Sequence, residues 1–367
     1  MKYSVKLLCA ALICAAVLPM AAACGSQKPD PASPAAGITS AAAETTTAEL
    51  RPELPDKDYD GYEFKVLISG NTENGREKND FDAPEITGEP VNDARYQRNA
   101  AVSEKYNIKI TNTEEYGSDA GEKKLKSSVL AGDGAYDIAM LGGYACCKLA
   151  YDGYLFDIAS LPYIDLTQPW WDQKANDDLM IKGRMFYSTG DISTADNDAT
   201  QAILFSKSLV EAFKLDDPYA MVKDGSWTMD NFIRLAGSVS SDLNGDGTFD
   251  MNDRYGALIW DDTLMGVYNS TGDKCATVNA EGQIELTFYT QRALAMFEKF
   301  AAFAFDKTQS YAYQRVSYSL DDPINMFSND QALFFMQLLD LVTYFRDMKN
   351  DFGILPYPKF DEAQQEY

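Results

Sequence analysis

The sequence predicts an α/β protein of two lobes joined by a hinge, on three observations. Between Tyr62 and Leu141, apolar residues alternate between strand and helix spacing in the order β-α-β-α-β, the pattern of an open sheet with helical crossovers. The chain from Pro55 onward is long for one core and suits two. A small, polar stretch over 190–200 then separates the first pattern from a second series of helices and strands.

Each element has a local reason. Tyr62 to Ile68 is apolar and aromatic enough for a strand, and Ser69-Gly70-Asn71 supplies turn chemistry. Val91 to Tyr106 repeats at helical spacing and stops at Asn107. Ile108-Lys109-Ile110 alternates as a second strand. Gly121 to Ala131 is a helix closed by Gly132, and Tyr136 to Leu141 is a buried strand closed by Gly142-Gly143. Met185 to Ser188 reads as a short strand before the crossing. Helices are expected over Phe205–Phe213, Thr228–Val239 and Gln291–Phe305, and strands over Tyr255–Trp260 and Gln331–Met336. Thr228 is placed to cap its helix, with Asn231 at the third helical position. Trp227 precedes the cap as an apolar staple.

The first 24 residues have a different purpose. Lys2 and Lys6 make a basic start, an apolar run follows to Ala23, and Ala21-Ala22-Ala23 precedes Cys24. This is a secretory leader, expected over 1–23, too short and poorly flanked for a lasting membrane span. Cys24 resembles the lipidated cysteine of bacterial lipoproteins; an ordinary signal peptidase would cut the same bond. The expected location is the outer face of the cytoplasmic membrane, held by a lipid anchor. Residues 24–54 are rich in Ser, Ala, Thr and Pro and read as a flexible linker. The rest divides into a first lobe over 55–187, a second lobe over 188–328, and a return segment to the first lobe over 329–367.

Composition narrows the chemistry. The formal net charge is −24, which argues against nucleic acid and anionic lipid as partners and suits cations and neutral ligands. There is no histidine, so histidine-based triads and His-ligated zinc are excluded. Beyond the leader and Cys24, Cys146, Cys147 and Cys275 lack metal-type spacing and read as buried free thiols, with a link from Cys146 or Cys147 to Cys275 as the alternative.

The strongest local motif is Asp242-Leu243-Asn244-Gly245-Asp246-Gly247-Thr248-Phe249-Asp250-Met251-Asn252-Asp253. Oxygen-bearing side chains of Asp242, Asn244, Asp246, Asp250 and Asp253 stand at positions 1, 3, 5, 9 and 12. Thr248 offers a carbonyl at 7, Gly247 turns at 6, and Phe249 plugs inward at 8. The spacing predicts a structural calcium loop. Asp253, shorter than the usual Glu, puts affinity near the weak extracellular range, roughly 10⁻⁴ to 10⁻³ M. The segment after it is strand-like, so calcium would staple a helix to a strand.

The segments Val91–Ile110, Ala131–Leu141, Asp165–Leu179, Asp224–Phe232, Asp242–Gly256 and Asp351–Tyr367, in this order and behind such a leader, resemble the extracellular solute-binding proteins of carbohydrate-type ABC importers, particularly those of Gram-positive gut anaerobes. The resemblance implies a periplasmic-binding-protein-like fold that closes on a sugar or oligosaccharide, an ABC permease as partner, and no chemistry on the ligand. Such proteins continue well past the Pro356-Tyr357-Pro358-Lys359 segment, so the fold is expected to be truncated at its C-terminus.

Sugar recognition needs flat apolar faces and planar amides or carboxylates in a concave site. The candidates on loops expected to face the cleft are Asn71, Tyr144, Asp191, Trp260, Tyr268 and Asn269. Trp170-Trp171, between Pro169 and Asp172, reads as an aromatic anchor at a helix start. Two other readings fit parts of this pattern: a secreted calcium-dependent carbohydrate-active enzyme using paired carboxylates, and a cell-surface carbohydrate-binding or adhesion module.

Overall fold

The computed structural model describes residues 51–71 and 79–367, and Pro52–Tyr367 form one unit holding two main sheets and a separate two-stranded hairpin. The expected leader, Cys24, residues 24–50 of the linker and the Asn71 side chain lie outside the described residues.

The first sheet comprises β1 (Tyr62–Asn71), β2 (Ile108–Tyr116) and β3 (Ile138–Met140), all parallel, in the order β2-β1-β3. Helix α1 (Pro90–Tyr106) leads into β2, α2 (Ser118–Ala131) into β3, and α3 (Gly143–Tyr151) follows. Asn107 and Gly132 close α1 and α2 in the left-handed region, as turn chemistry requires. Leu67, Leu125 and Leu149 form a small core between this sheet and its helices.

The connection then runs through α4 (Gln173–Leu179) and α5 (Ala195–Asp198). Asp172 caps α4 by accepting the Ala175 amide at 2.8 Å. The expected strand over Met185–Ser188 does not form. Met185 is anchored singly: its carbonyl accepts the Ile158 amide at 2.7 Å, and its amide donates to the Asp157 carboxylate at 3.1 Å.

The second lobe contains β4 (Gln201–Ser206), α6 (Lys207–Ala212), α7 (Pro218–Asp224), α8 (Met229–Val239), β5 (Tyr255–Ile259), α9 (Thr263–Asn269), the hairpin β6 (Ala276–Val278) and β7 (Ile284–Leu286), α10 (Gln291–Phe305), β8 (Ser310–Ala312), α11 (Asp321–Ser328), β9 (Ala332–Leu338) and β10 (Phe352–Leu355). Its five-stranded sheet has the order β10-β4-β9-β5-β8. Two expectations are corrected. Phe205 is not a helix start: it belongs to β4, opposite Phe334 and Gly353, and Ser206 caps α6. Residues 329–367 do not return to the first lobe, because β9 is the middle strand of the second sheet and β10 its edge.

This sheet is covered on both faces, which explains its uninterrupted apolar strands. Ile203, Phe205, Phe334 and Met336 face α8 and α10, while Leu204 and Phe335 face Phe327 and Phe345. Helix α8 presents Met229, Phe232, Leu235, Ala236 and Val239 as one buried stripe. Thr228 accepts the Asn231 amide at 3.4 Å, a cap of the kind that contributes about 1 kcal/mol. Trp227 is fully buried with its ring 6.1 Å from Phe232, the N′-to-N4 staple expected for this helix.

Candidate functional site

Strand direction decides which edge of the second sheet faces the first lobe. β4 runs against β9 and β10, and β5 and β8 run with β9. Gln201, where the chain enters, is therefore level with Leu338, the last residue of β9. The crossing delivers the chain to the edge where β5, β8, β9 and β10 end, and the Leu339 amide donates to the Thr200 carbonyl at 2.8 Å. Ligands of open α/β sheets collect at such carboxyl ends.

At its other end the crossing is clamped to the first lobe. The Asp80 carboxylate, 4 % exposed, pairs with Arg95, accepts the Ser193 hydroxyl at 2.6 Å and accepts the Thr194 amide at 3.2 Å. Arg95 also donates to the Thr194 hydroxyl at 2.8 Å, and Arg98 donates to the Ile192 carbonyl at 3.4 Å. Burial draws the Arg98 guanidinium below its ordinary pKa, and the nearby Asp80 charge opposes that pull. Arg95 stands in the first half of α1 and Arg98 at its midpoint, and α1 runs toward the start of β2, so the clamp sits toward the side where β1 ends.

Helix α9 lies across the carboxyl edge of the second sheet. The Thr263 hydroxyl accepts the Trp260 amide at 3.1 Å just beyond β5. Gly266 is pressed so closely that a Cβ there would meet Gln201 Oε1 at 1.8 Å and the Tyr357 ring at 2.7 Å. The Ser270 hydroxyl donates to the Pro358 carbonyl at 2.9 Å. The outer face of α9 leaves Leu264, Met265 and Asn269 exposed.

The expected site residues are distributed as follows. Tyr144 is 90 % exposed at the start of α3, just past the end of β3. Asp191 is exposed at the head of the crossing, its amide donating to the Trp170 carbonyl at 2.9 Å. Trp260 and Asn269 flank α9 at the second-lobe edge, half-buried and exposed respectively. Tyr268 is a correction: it is 1 % exposed and stacks on Phe297 at 5.6 Å, so its helical phase turns it into the core. Asn71 ends β1, and its side chain is outside the described residues. Sequence reasoning passed over Asp261 and Gln314. The Asp261 amide donates to Gln314 Oε1 at 2.8 Å, joining the ends of the parallel neighbours β5 and β8. Gln314 follows a strand of only three residues, too short for periodicity to flag. Two open depressions, of about 500 and 670 Å³, are lined by none of these residues.

The twelve-residue loop joins α8 to β5 and is closed at its base by the reciprocal Ser241 and Arg254 backbone bonds at 3.0 Å. Asp242 accepts the Gly245 and Gly247 amides at 2.6 and 2.9 Å, and those bonds, Gly247's foremost, hold its carboxyl below the usual range. Gly245 and Gly247 both adopt positive φ, at 74° and 79°. Phe249 turns inward onto the Tyr255 ring, 5.7 Å between centroids. These features fit an oxygen-ligated cation at positions 1 to 9. Position 12 differs: Asp253 is fully buried and accepts the Leu243 and Asp250 amides at 2.9 Å each. Among the described residues no group of three acidic or thiol side chains converges closely enough for a metal by itself. A cation here would draw the Asn244 amide and the Thr248 carbonyl into its shell.

The three remaining cysteines are free thiols, but the expectation that they are buried is corrected: Cys146 is half-buried, and Cys147 and Cys275 are exposed. Burial pushes the Cys146 thiol up to about 11. Cys147 is exposed, its sulfur 2.8 Å from the Tyr187 hydroxyl.

No protein-family model matches the chain, and no curated protein matches it. Solved structures do. An ABC substrate-binding protein from Listeria monocytogenes in complex with cycloalternan superposes with a TM-score of 0.52 at 16 % identity, over 80 % of this chain and 66 % of its own. A cyclo/maltodextrin-binding protein complexed with maltotetraose gives 0.53 at 13 % identity, over 82 % and 67 %. The fold is that of the two-lobed solute-binding proteins. UspC of M. tuberculosis has the same likeness, with a TM-score of 0.53 at 17 % identity over 82 % and 70 %. The chain spans about two thirds of the length of these structures.

Proposed function

We propose that the chain is an extracellular solute-binding protein that captures a sugar or oligosaccharide between its lobes and presents it to an ABC permease, without altering it. The observation that carries this reading is the crossing. It docks beside the end of β1 through Asp80 and enters the second lobe at the carboxyl edge of that sheet, so the ligand-taking edges of both sheets flank one hinge. Tyr144 and Asp191 on one side, and Trp260 and Asn269 on the other, offer the aromatic faces and polar groups that a sugar needs. The solved structures of similar fold support the ligand class, since two of them carry cycloalternan and maltotetraose.

Closure follows from ligand contacts in both lobes, which favour the state in which both edges meet the sugar. Cys24, lipidated, and the linker over 24–54 would keep this receptor near the membrane while leaving its orientation free. Among the described residues no helix is long and apolar enough to cross a membrane. Calcium, held by Asp242, Asn244, Asp246, the Thr248 carbonyl and Asp250, with Asp253 closing the loop, would pin α8 to β5. Its contribution is structural.

Isothermal titration against an oligosaccharide panel, with product analysis of the same mixture, tests the reading. Binding with the sugar recovered intact is expected. Turnover supports the enzyme alternative instead, and absence of binding across the panel contradicts sugar capture.

A further inference from the structure

Beyond the carboxyl ends of β5 and β8 stand an amide, two carboxylates and an indole with complementary chemistry. Gln314 spends its oxygen on the Asp261 amide at 2.8 Å. That bond assigns the amide: its oxygen is taken by the Asp261 N–H, and Nε2, for which no hydrogen bond is made among the described residues, is left as a donor. The Asp261 side chain is exposed, and so is that of Asp262, which opens α9 without capping it. Among the described residues neither carboxylate accepts a hydrogen bond or pairs with a cation. Arg315, the cation next to Gln314 in the chain, is drawn aside over the Phe305 ring at 4.6 Å. Trp260 stands beside the carboxylates, half-buried against the core.

We propose that Asp261 and Gln314 form a hydroxyl-reading pair on the second lobe that selects neutral glycans and rejects those bearing uronic acids; this rests on the carbohydrate reading above. A sugar hydroxyl, unlike a carboxylate, both donates and accepts. It can give its proton to Asp261 and take one from Gln314 Nε2, while the Trp260 ring covers an apolar sugar face. A uronate brings a negative charge toward two carboxylates that no cation offsets, and can give Asp261 no proton from its ionised group. The net charge of −24 adds repulsion of the same sign at long range.

Calorimetric titration of the full chain against neutral oligosaccharides and length-matched uronic-acid oligosaccharides tests this. The wild-type chain should bind a neutral glycan at least about tenfold more tightly than its uronate counterpart. Gln314→Glu keeps an acceptor for the Asp261 amide and removes the donor. It should weaken neutral binding roughly threefold to tenfold, the range for losing one hydrogen bond, with the melting temperature unchanged. Asp261→Asn should narrow the gap between neutral and uronate ligands. Binding that Gln314→Glu leaves unmoved, or equal affinity for both classes, overturns this inference and leaves sugar capture standing. No binding to any glycan overturns both.

Discussion

The Ser193 hydroxyl donates to the Asp80 carboxylate at 2.6 Å, a bond between groups 113 residues apart that ties the crossing to the first lobe. Asp80 is also the partner of Arg95, so one buried carboxylate satisfies a guanidinium, a hydroxyl and the Thr194 amide together. Removing one member of a buried charge pair leaves the other uncompensated. Asp80→Ala is expected to cost about 3 kcal/mol in urea denaturation, toward the lower end for such pairs because Arg95 keeps some solvent. Ser193→Ala should cost about 1 kcal/mol. A wild-type midpoint in Asp80→Ala would show that the clamp contributes nothing.

Gly266 allows α9 to lie on the strand ends. Gly266→Ala places a methyl group 1.8 Å from Gln201 Oε1 and against the Tyr357 ring. Either the amide moves or the helix lifts, at about 1–3 kcal/mol for an overpacked site. Shortening the amide in Gln201→Ser together with Gly266→Ala should recover part of that loss in a double-mutant cycle. Additive losses would mean that the two residues do not share this contact.

Tyr268 and Trp260 separate core from cleft. Among the described residues the buried Tyr268 hydroxyl makes no full hydrogen bond, only a weak side-chain interaction with Cys275, so Tyr268→Phe should be neutral to slightly stabilising in thermal melts and leave sugar affinity unchanged. Trp260→Ala should weaken sugar binding tenfold or more, by loss of a stacking face. Equal effects of the two changes on affinity would contradict the division.

For the loop, calcium should raise the melting temperature and Asp246→Ala should abolish the rise; identical melts with calcium and with chelator would reject the calcium proposal. The pH dependence follows from Asp242. Its carboxyl is held below the ordinary value by the Gly247 and Gly245 amides. A depressed carboxylate contributes stability above its unfolded pKa, about 3.9, and loses it as pH falls through the lower folded value. The calcium-induced shift should therefore be full near neutrality and fade below about pH 4. A shift that persisted undiminished below that range would place the ion elsewhere.

The first lobe was legible because α1, α2 and β3 end in turn or cap chemistry, at Asn107, Gly132 and Gly142. The second sheet was harder. Ile203, Leu204 and Phe205 are buried on alternate faces of a doubly covered strand, so their run has no period to separate strand from helix. Gln331–Met336 read correctly as a strand, but strand order is set by long-range pairing that no local pattern encodes, and β9 was assigned to the wrong lobe. Within the site, a single residue step along α9, about 100° of helical phase, separates exposed Asn269 from buried Tyr268. The donor that orients Gln314 comes from a residue 53 positions away.

The central claim is that a sugar is held between the lobes, and small-angle scattering of the chain with and without a saturating oligosaccharide tests it most directly. The account predicts a smaller radius of gyration in the sugar-bound state, as the edges carrying Tyr144 and Trp260 close on the ligand. An unchanged radius at full saturation would contradict it.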